Sequence, residues 1–278
     1  MSANTPANQV NPNANEVGGG SRARVILRAA IMLFLPAVIL FAAAGRLDWG
    51  MGWAYVIVAT ALAILSRLIV FRINPDLIAE RAHALEKEDT KSWDKTLVPL
   101  AAVYGPMVML LVAGLDERNS WSPEISPGIQ AAALAVVTAG YLVSVWAMAV
   151  NRFYSATVRI QKDRGHTVVS SGPYRFVRHP SYAAGIVADF AIPVALGSLW
   201  ALVVSAVIAV LLVVRTALED RTLHEELAGY KDYAARVRYR LLPGRSPCWA
   251  ATPSARRFSR SRSTRRRRTR SSTTWPTP

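Results

Sequence analysis

The chain has 278 residues, 52% of them hydrophobic and only 18% charged, with a mean hydropathy of +0.22. Too little polar surface remains for a soluble domain of this length, so the composition excludes that class and points to one integral membrane domain. The single cysteine, Cys248, excludes an internal disulfide framework and a Cys-rich metal site. The net charge of +15 is uneven: ten arginines between Arg245 and Arg270 supply 10 of it, leaving +5 elsewhere.

Residues 1–21 are rich in Asn, Ala, Pro and Gly and read as a disordered leader, without the charged start and apolar centre of a cleavable signal. Six apolar runs follow, at 26–44, 52–71, 96–115, 127–150, 182–198 and 199–215. Blocks of about 20 apolar residues match the thickness of a bilayer. The expected fold is therefore all-α, a multi-pass transmembrane bundle of about six spans. The first four runs form an N-terminal helical part (22–150), and the last two a tight hairpin across Gly197-Ser198-Leu199, with Pro193 bending its first arm.

Loop charges orient this layout. Arg22, Arg24 and Arg28 precede the first run. The loop at 72–95 carries Arg72, Arg81, Lys87, Lys91 and Lys95, and the loop at 151–180 carries six basic residues. The opposite side has only Arg46 and Arg118. The asymmetry puts both termini and both long loops in the cytoplasm. From Arg215 a helix leaves the membrane, with Gly229 as its stop or kink. Residues 244–278 consist mainly of Arg, Ser, Thr and Pro and read as a disordered tail. The tail lacks interleaved stacking aromatics and a fold to position it. This argues against specific nucleic-acid binding and for attraction to anionic lipid headgroups.

Residues 151–182, NRFYSATVRIQKDRGHTVVSSGPYRFVRHPSY, are a polar stretch between apolar runs. Such a stretch cannot lie in hydrocarbon, so it forms a cap at the membrane face, where a polar small molecule can be held against a lipid-soluble one. Proline pushes Gly172 and His179 out of the helical region, and a helix can begin at Pro180. A simple loop-to-helix transition with interfacial aromatics and snorkelling arginines accounts for part of this pattern. Two His, two Tyr and two Arg within 17 positions are more hydrogen-bonding capacity than such a transition requires.

Arg215 and Glu219 stand four residues apart on one helical face, with Asp220 alongside. By themselves they read as an internal ion pair worth a few tenths of a kcal/mol. Both ends of the hairpin lie at the cytoplasmic face, however, so Glu219 can approach the 166–182 cap and share a pocket with it. His83 and His224 receive no role. Asp189, a carboxylate inside an apolar run, is a functional candidate by position alone. No His/Cys or His/Glu set has metal-ligand spacing, so no metal site is expected, and no phosphate-binding Gly loop occurs.

The run from Gln161 to Tyr182, then Arg215-x-x-x-Glu219-Asp220, Tyr230, Tyr233 and the Arg240-Leu-Leu-Pro243 ending, resembles the isoprenylcysteine carboxyl methyltransferase family. The resemblance covers about residues 150–243, the family's catalytic core. The stretches Asn74-Pro75-Asp76-Leu77 and Lys91-Ser92-Trp93-Asp94-Lys95 are similar to the N-terminal part of bacterial members. It implies a bundle with a cytoplasmic-face cofactor pocket in residues 151–243, in a bacterial inner membrane. It also implies S-adenosylmethionine as cofactor, wrapped by Gln161, His166, Thr167, Val168, Val169, Tyr174, His179, Pro180, Ser181 and Tyr182, with Glu219 accepting from its amino or ribose groups. Arg215 is implied to orient the acceptor carboxylate through a bidentate contact.

The implied substrate is lipid-soluble or lipid-tailed and enters sideways from the bilayer. A methyl sulfonium is already activated and a carboxylate already ionised near neutral pH, so alignment and exclusion of water are the protein's task. Asp220 stands where many members have a second Glu and is left outside the core set. The 35-residue continuation from Gly244 departs from the family and reads as a shifted reading frame or a recent extension. Other readings stay open: an NADPH-using membrane reductase, a phospholipid or thiol methyltransferase, or a non-enzymatic lipid-binding protein. The acceptor's identity and the oligomeric state are not legible in the sequence.

Overall fold

The computed structural model describes residues 30–31, 33–73 and 89–242. The leader, His83, the Asn74-Pro75-Asp76-Leu77 stretch and the tail from 244 lie outside the described residues. The regular structure among the described residues is helical, with no strand. In chain order the helices are α1 (Leu33–Ala44), α2 (Gly50–Ile73), α3 (Asp94–Asn119), α4 (Pro127–Val150), α5 (Pro180–Ala195), α6 (Ala201–Glu226) and α7 (Tyr230–Arg236). Four of them, α2, α3, α4 and α6, are long and apolar enough to cross a membrane. The two other apolar runs form the shorter helices α1 and α5. Four of the six expected spans are therefore helices of membrane-crossing length and two are shorter, as suits an integral membrane protein.

The α4–α5 contact is the most extensive, and α6 packs on both α5 and α3. Small residues make the close approaches. A Cβ on Gly140 of α4 would stand 2.8 Å from the Ala184 carbonyl of α5, and one on Gly114 of α3 would stand 2.5 Å from the Leu40 carbonyl of α1. Helices in lipid gain little from burying apolar surface against one another, so such backbone approach carries the association. Val203, Val207, Val210 and Val214 mark the outer side of α6, each at least 44% exposed. Their spacing draws one apolar stripe along the helix, suited to hydrocarbon.

Prolines leave carbonyls without their helical partners, and the structure shows one repair. Pro193 has no N–H for the Asp189 carbonyl one turn earlier. The Ser205 hydroxyl of α6, fully buried, donates to that oxygen at 2.6 Å. Within α3, a π-helical turn over Leu100–Tyr104 follows Pro99. At the far end of the bundle, the buried Asp116 carboxylate accepts from the Ser122 backbone, the Ser122 hydroxyl and the Ser198 hydroxyl, at 2.8, 2.6 and 2.5 Å. This cluster ties the end of α3 to the α5–α6 turn, where Gly197 takes φ +77°.

α6 runs unbroken past Arg215 to Glu226, so the helix that leaves the membrane is the sixth apolar run itself. The chain breaks at Leu227, and Gly229 takes φ +79° before α7, as its position in the sequence predicts.

Candidate active site

The cap between α4 and α5 has no regular structure beyond two short 3₁₀ turns, Lys162–Arg164 and Gly172–Arg175. Its shape comes from side chains that replace backbone pairing. Fully buried Gln161 donates to the Phe153 carbonyl at 2.7 Å and accepts from Arg164 at 2.6 Å. Asn151 accepts the Phe153 N–H and donates to the Tyr174 hydroxyl, at 2.9 and 3.1 Å. Gly172 is not extended, as the following proline predicts. It takes φ +56°, because the chain must turn sharply against Val150 and Trp146, whose atoms lie 3.1–3.3 Å from where a Cβ would be. His179 does leave the helical region, at φ −126° and ψ 66°, directly before Pro180 opens α5.

After α7 the chain returns to the cap. The Arg178 and His179 N–H groups each donate at 2.9 Å, to the carbonyls of Tyr239 and Arg240 respectively. The Tyr233 hydroxyl donates to the Tyr174 carbonyl at 2.7 Å.

Cap, α5, α6 and α7 enclose one cavity. Of the residues implied as cofactor-binding, His166, Thr167, Val168, Val169, Tyr174, His179, Ser181, Tyr182 and Glu219 line it, as does Arg215. Two do not: Gln161 is buried in the cap scaffold, and Pro180 is buried as the first residue of α5. Both shape the wall from behind. Phe153, Tyr154, Tyr230 and Tyr233 also line the cavity and add aromatic surface.

Charged groups converge across this cavity. His179 Nδ1 stands 4.0 Å from Glu219 Oε1, and its ring stacks on Tyr182 at 5.8 Å. The Tyr182 hydroxyl donates to Glu219 Oε2 at 2.7 Å and accepts from Arg215 Nη1. No ion pair joins Arg215 directly to Glu219; the tyrosine oxygen links them. The bidentate fork of Arg215 is occupied by Asp94, at 2.7 Å from Nε and 3.1 Å from Nη2. Nη2 also donates to the Ala156 carbonyl at 2.9 Å. A guanidinium has five N–H donors, so one on Nη1 remains. The fork, expected to be open for a bidentate contact, is thus taken by a buried carboxylate from α3, which leaves a single N–H free of protein partners.

Asp220, left outside the core set on sequence grounds, is the hub beneath the cavity. Its fully buried carboxylate accepts from Arg178 at 2.8 and 3.1 Å and from the Tyr230 hydroxyl at 2.8 Å. His179 Nε2 lies 3.3 Å away and Arg240 Nε 2.8 Å away. Facing the packed side of α6 while Glu219 faces the cavity, it assembles the cap from below. His224, which receives no role, points its Nδ1 at the Asp220 carbonyl at 2.8 Å.

Sequence reasoning missed Asp94, Asp220 and Arg178. The signal for Asp94 was a lone acid among lysines directly ahead of an apolar run. Asp189 sits half-buried in α5, away from the cavity.

Burial sets the protonation states of the cap. It pushes Tyr233 up to about 12 and raises Tyr174 and Tyr230 far above the ordinary phenol range, so all three remain donors. Burial, then the Arg159 and Arg164 guanidiniums, lowers His166 to about 4. Its ring is therefore neutral near pH 7 and packs on Phe153 with centroids 4.5 Å apart. Among the described residues no group of three or more His, Cys, Asp or Glu side chains is arranged to hold a metal ion.

Comparison with the curated proteins finds no match. Residues 132–225, which run from α4 through the cap to the end of α6 and so contain most of the cavity wall, match the model of one family. That model is the isoprenylcysteine carboxyl methyltransferase family's, and the match covers this domain of the chain.

Proposed function

We propose that this protein transfers the methyl group of S-adenosylmethionine to a carboxylate on a lipid-soluble or lipid-tailed acceptor, as a carboxyl O-methyltransferase. The observation that carries this reading is the convergence of His179, Tyr182, Arg215 and Glu219 on one cavity beside the membrane helices.

The residues present suit such a cofactor. Thr167, Val168 and Val169 line the cavity, and their backbone N–H and C=O groups find no hydrogen-bond partner among the described residues. A ligand rich in hydroxyl, amino and carboxylate groups can pair with such groups. Glu219 Oε1 accepts no hydrogen bond among the described residues, so it is available to an amino or ribose group. Phe153, Tyr174, Tyr182 and Tyr230 provide flat surface for a purine. When bound, the cofactor supplies an activated methyl.

The chain's own residues then align and desolvate. Arg215 presents one N–H to the acceptor carboxylate, Tyr182 keeps Arg215 and Glu219 in register, and the aromatic wall excludes water. The apolar outer faces of α5 and α6 leave a route for an acceptor's hydrocarbon tail. Basic loops support a cytoplasmic site in a bacterial inner membrane, and the Arg-rich tail suits contact with anionic lipids.

The test uses purified full-length protein in lipid vesicles with methyl-labelled S-adenosylmethionine. One arm adds S-farnesylated N-acetylcysteine and another adds total membrane lipid. A carboxyl ester releases volatile labelled methanol in mild alkali; an N- or S-methyl product does not. Alkali-labile label in either arm is the expected result. Alkali-stable label alone would replace the carboxylate with a phospholipid amine or thiol. Failure to bind S-adenosylhomocysteine, with binding of NADPH instead, would end the reading.

A further inference from the structure

We infer that Asp94 is the positioning residue that decides how Arg215 meets the acceptor. Asp94 lies 121 residues before Arg215, outside the family-matched region, and opens α3. It is fully buried, and its two carboxylate oxygens bind Nε and Nη2 of Arg215. The same carboxylate accepts the Val158 N–H at 2.6 Å, and the Lys91 N–H donates to the Val158 carbonyl at 3.1 Å. Asp94 is therefore clamped to the cap while it clamps the arginine.

The donor inventory gives this arrangement its consequence. Asp94 and the Ala156 carbonyl take three N–H groups of Arg215, and Tyr182 takes a fourth. The guanidinium plane is thereby held in one orientation, with its last N–H, on Nη1, left for the cavity. Without the Asp94 carboxylate only the single contacts to the Ala156 carbonyl and the Tyr182 hydroxyl orient the guanidinium, and its two-point hold is lost. The negative charge of Asp94 also offsets the cation, so the acceptor meets one directed donor and not a bare buried charge.

This inference rests on the methyltransferase reading proposed above, and its test separates the two. Transfer to S-farnesylated N-acetylcysteine and binding of S-adenosylhomocysteine are measured for wild type, Asp94→Asn, Arg215→Gln and the double variant. Asp94→Asn is expected to lower kcat/KM for the acceptor by about 10–100-fold, the scale of a misplaced positioning group. S-adenosylhomocysteine affinity is expected to change less than about twofold, and the double variant is expected to match Arg215→Gln alone.

Asp94→Glu keeps the charge but displaces the guanidinium. It is expected to lose acceptor kcat/KM while binding S-adenosylhomocysteine normally. Wild-type rates in Asp94→Asn, or losses that multiply in the double variant, would overturn the assignment. Loss of S-adenosylhomocysteine binding in both Asp94 variants would make Asp94 a fold determinant and overturn it equally. A wild type that binds S-adenosylhomocysteine but methylates neither this acceptor nor membrane lipid would instead sink the proposed function.

Discussion

The Tyr182 hydroxyl accepts from Arg215 and donates to Glu219 at 2.7 Å, so one oxygen carries the contact between the only two charged residues of α6 that line the cavity. Tyr182→Phe keeps the ring and its stacking on His179 but leaves an arginine N–H and a carboxylate oxygen without their partner. Leaving such groups unsatisfied costs about 1–3 kcal/mol. Turnover is expected to fall about 10–100-fold, since each 1.4 kcal/mol is tenfold. Initial rates of methyl transfer check this, with membrane insertion unchanged.

Glu219→Gln and His179→Ala probe the donor side. Glu219→Gln removes a charge from the cavity, and His179→Ala removes a ring that also reaches Asp220 beneath it at 3.3 Å. The dissociation constant for S-adenosylhomocysteine is expected to rise about tenfold or more in both, the scale of one charge-assisted hydrogen bond. Calorimetry on detergent-solubilised protein measures it, and unchanged affinity in both variants would remove Glu219 and His179 from the site.

Asp220→Ala acts differently. The carboxylate is fully buried and serves Arg178, Tyr230 and Arg240 as well as His179. Its removal strands the buried Arg178 guanidinium, and breaking a buried pair this way costs about 3–5 kcal/mol. The cap is expected to lose its native packing, seen as a lower unfolding temperature and faster proteolysis between residues 151 and 180.

Acid should loosen the cap through His166. Its folded pKa of about 4 lies below the ordinary 6.5. The unfolded chain therefore binds the proton first, and stability is lost as pH falls from about 6.5 towards 4. Above 6.5 the ring is neutral in both states and contributes no pH dependence. His166→Gln is expected to flatten the fall in unfolding temperature across that window relative to wild type.

Gly140→Leu places a side chain where even a Cβ would stand 2.8 Å from the Ala184 carbonyl. α4 and α5 would have to separate, and such overpacking typically costs about 1–3 kcal/mol. A lower unfolding temperature in detergent, together with weaker S-adenosylhomocysteine binding, is the expected result, because α5 carries Ser181 and Tyr182 to the cavity and His179 directly precedes it.

Much of the architecture is legible along the chain because its causes are local. Apolar runs the length of a bilayer become helices in order, since hydrocarbon forces every backbone group to pair within its own segment. Pro180 opens α5 and Gly229 turns the chain between α6 and α7 for reasons of backbone sterics alone. The placement of Glu219 against His179 is also readable, because the short α5–α6 turn brings both ends of the hairpin back to one face. What the chain order cannot express is which side of a helix is buried.

Glu219 and Asp220 are adjacent carboxylates of like chemistry, yet one faces the cavity and the other anchors the cap. The 100° step between neighbouring residues matters only once α7 and the cap are packed. Arg215 is likewise visible as a charge in need of a partner, but helix spacing offers Glu219. Only the fold brings Asp94 to it across 121 residues of chain. Composition and periodicity thus determined the membrane bundle and the face that holds the site. The pairing of its buried charges was decided by tertiary structure, because in a low-dielectric interior each ion must find its counter-ion in space, wherever the chain supplies it.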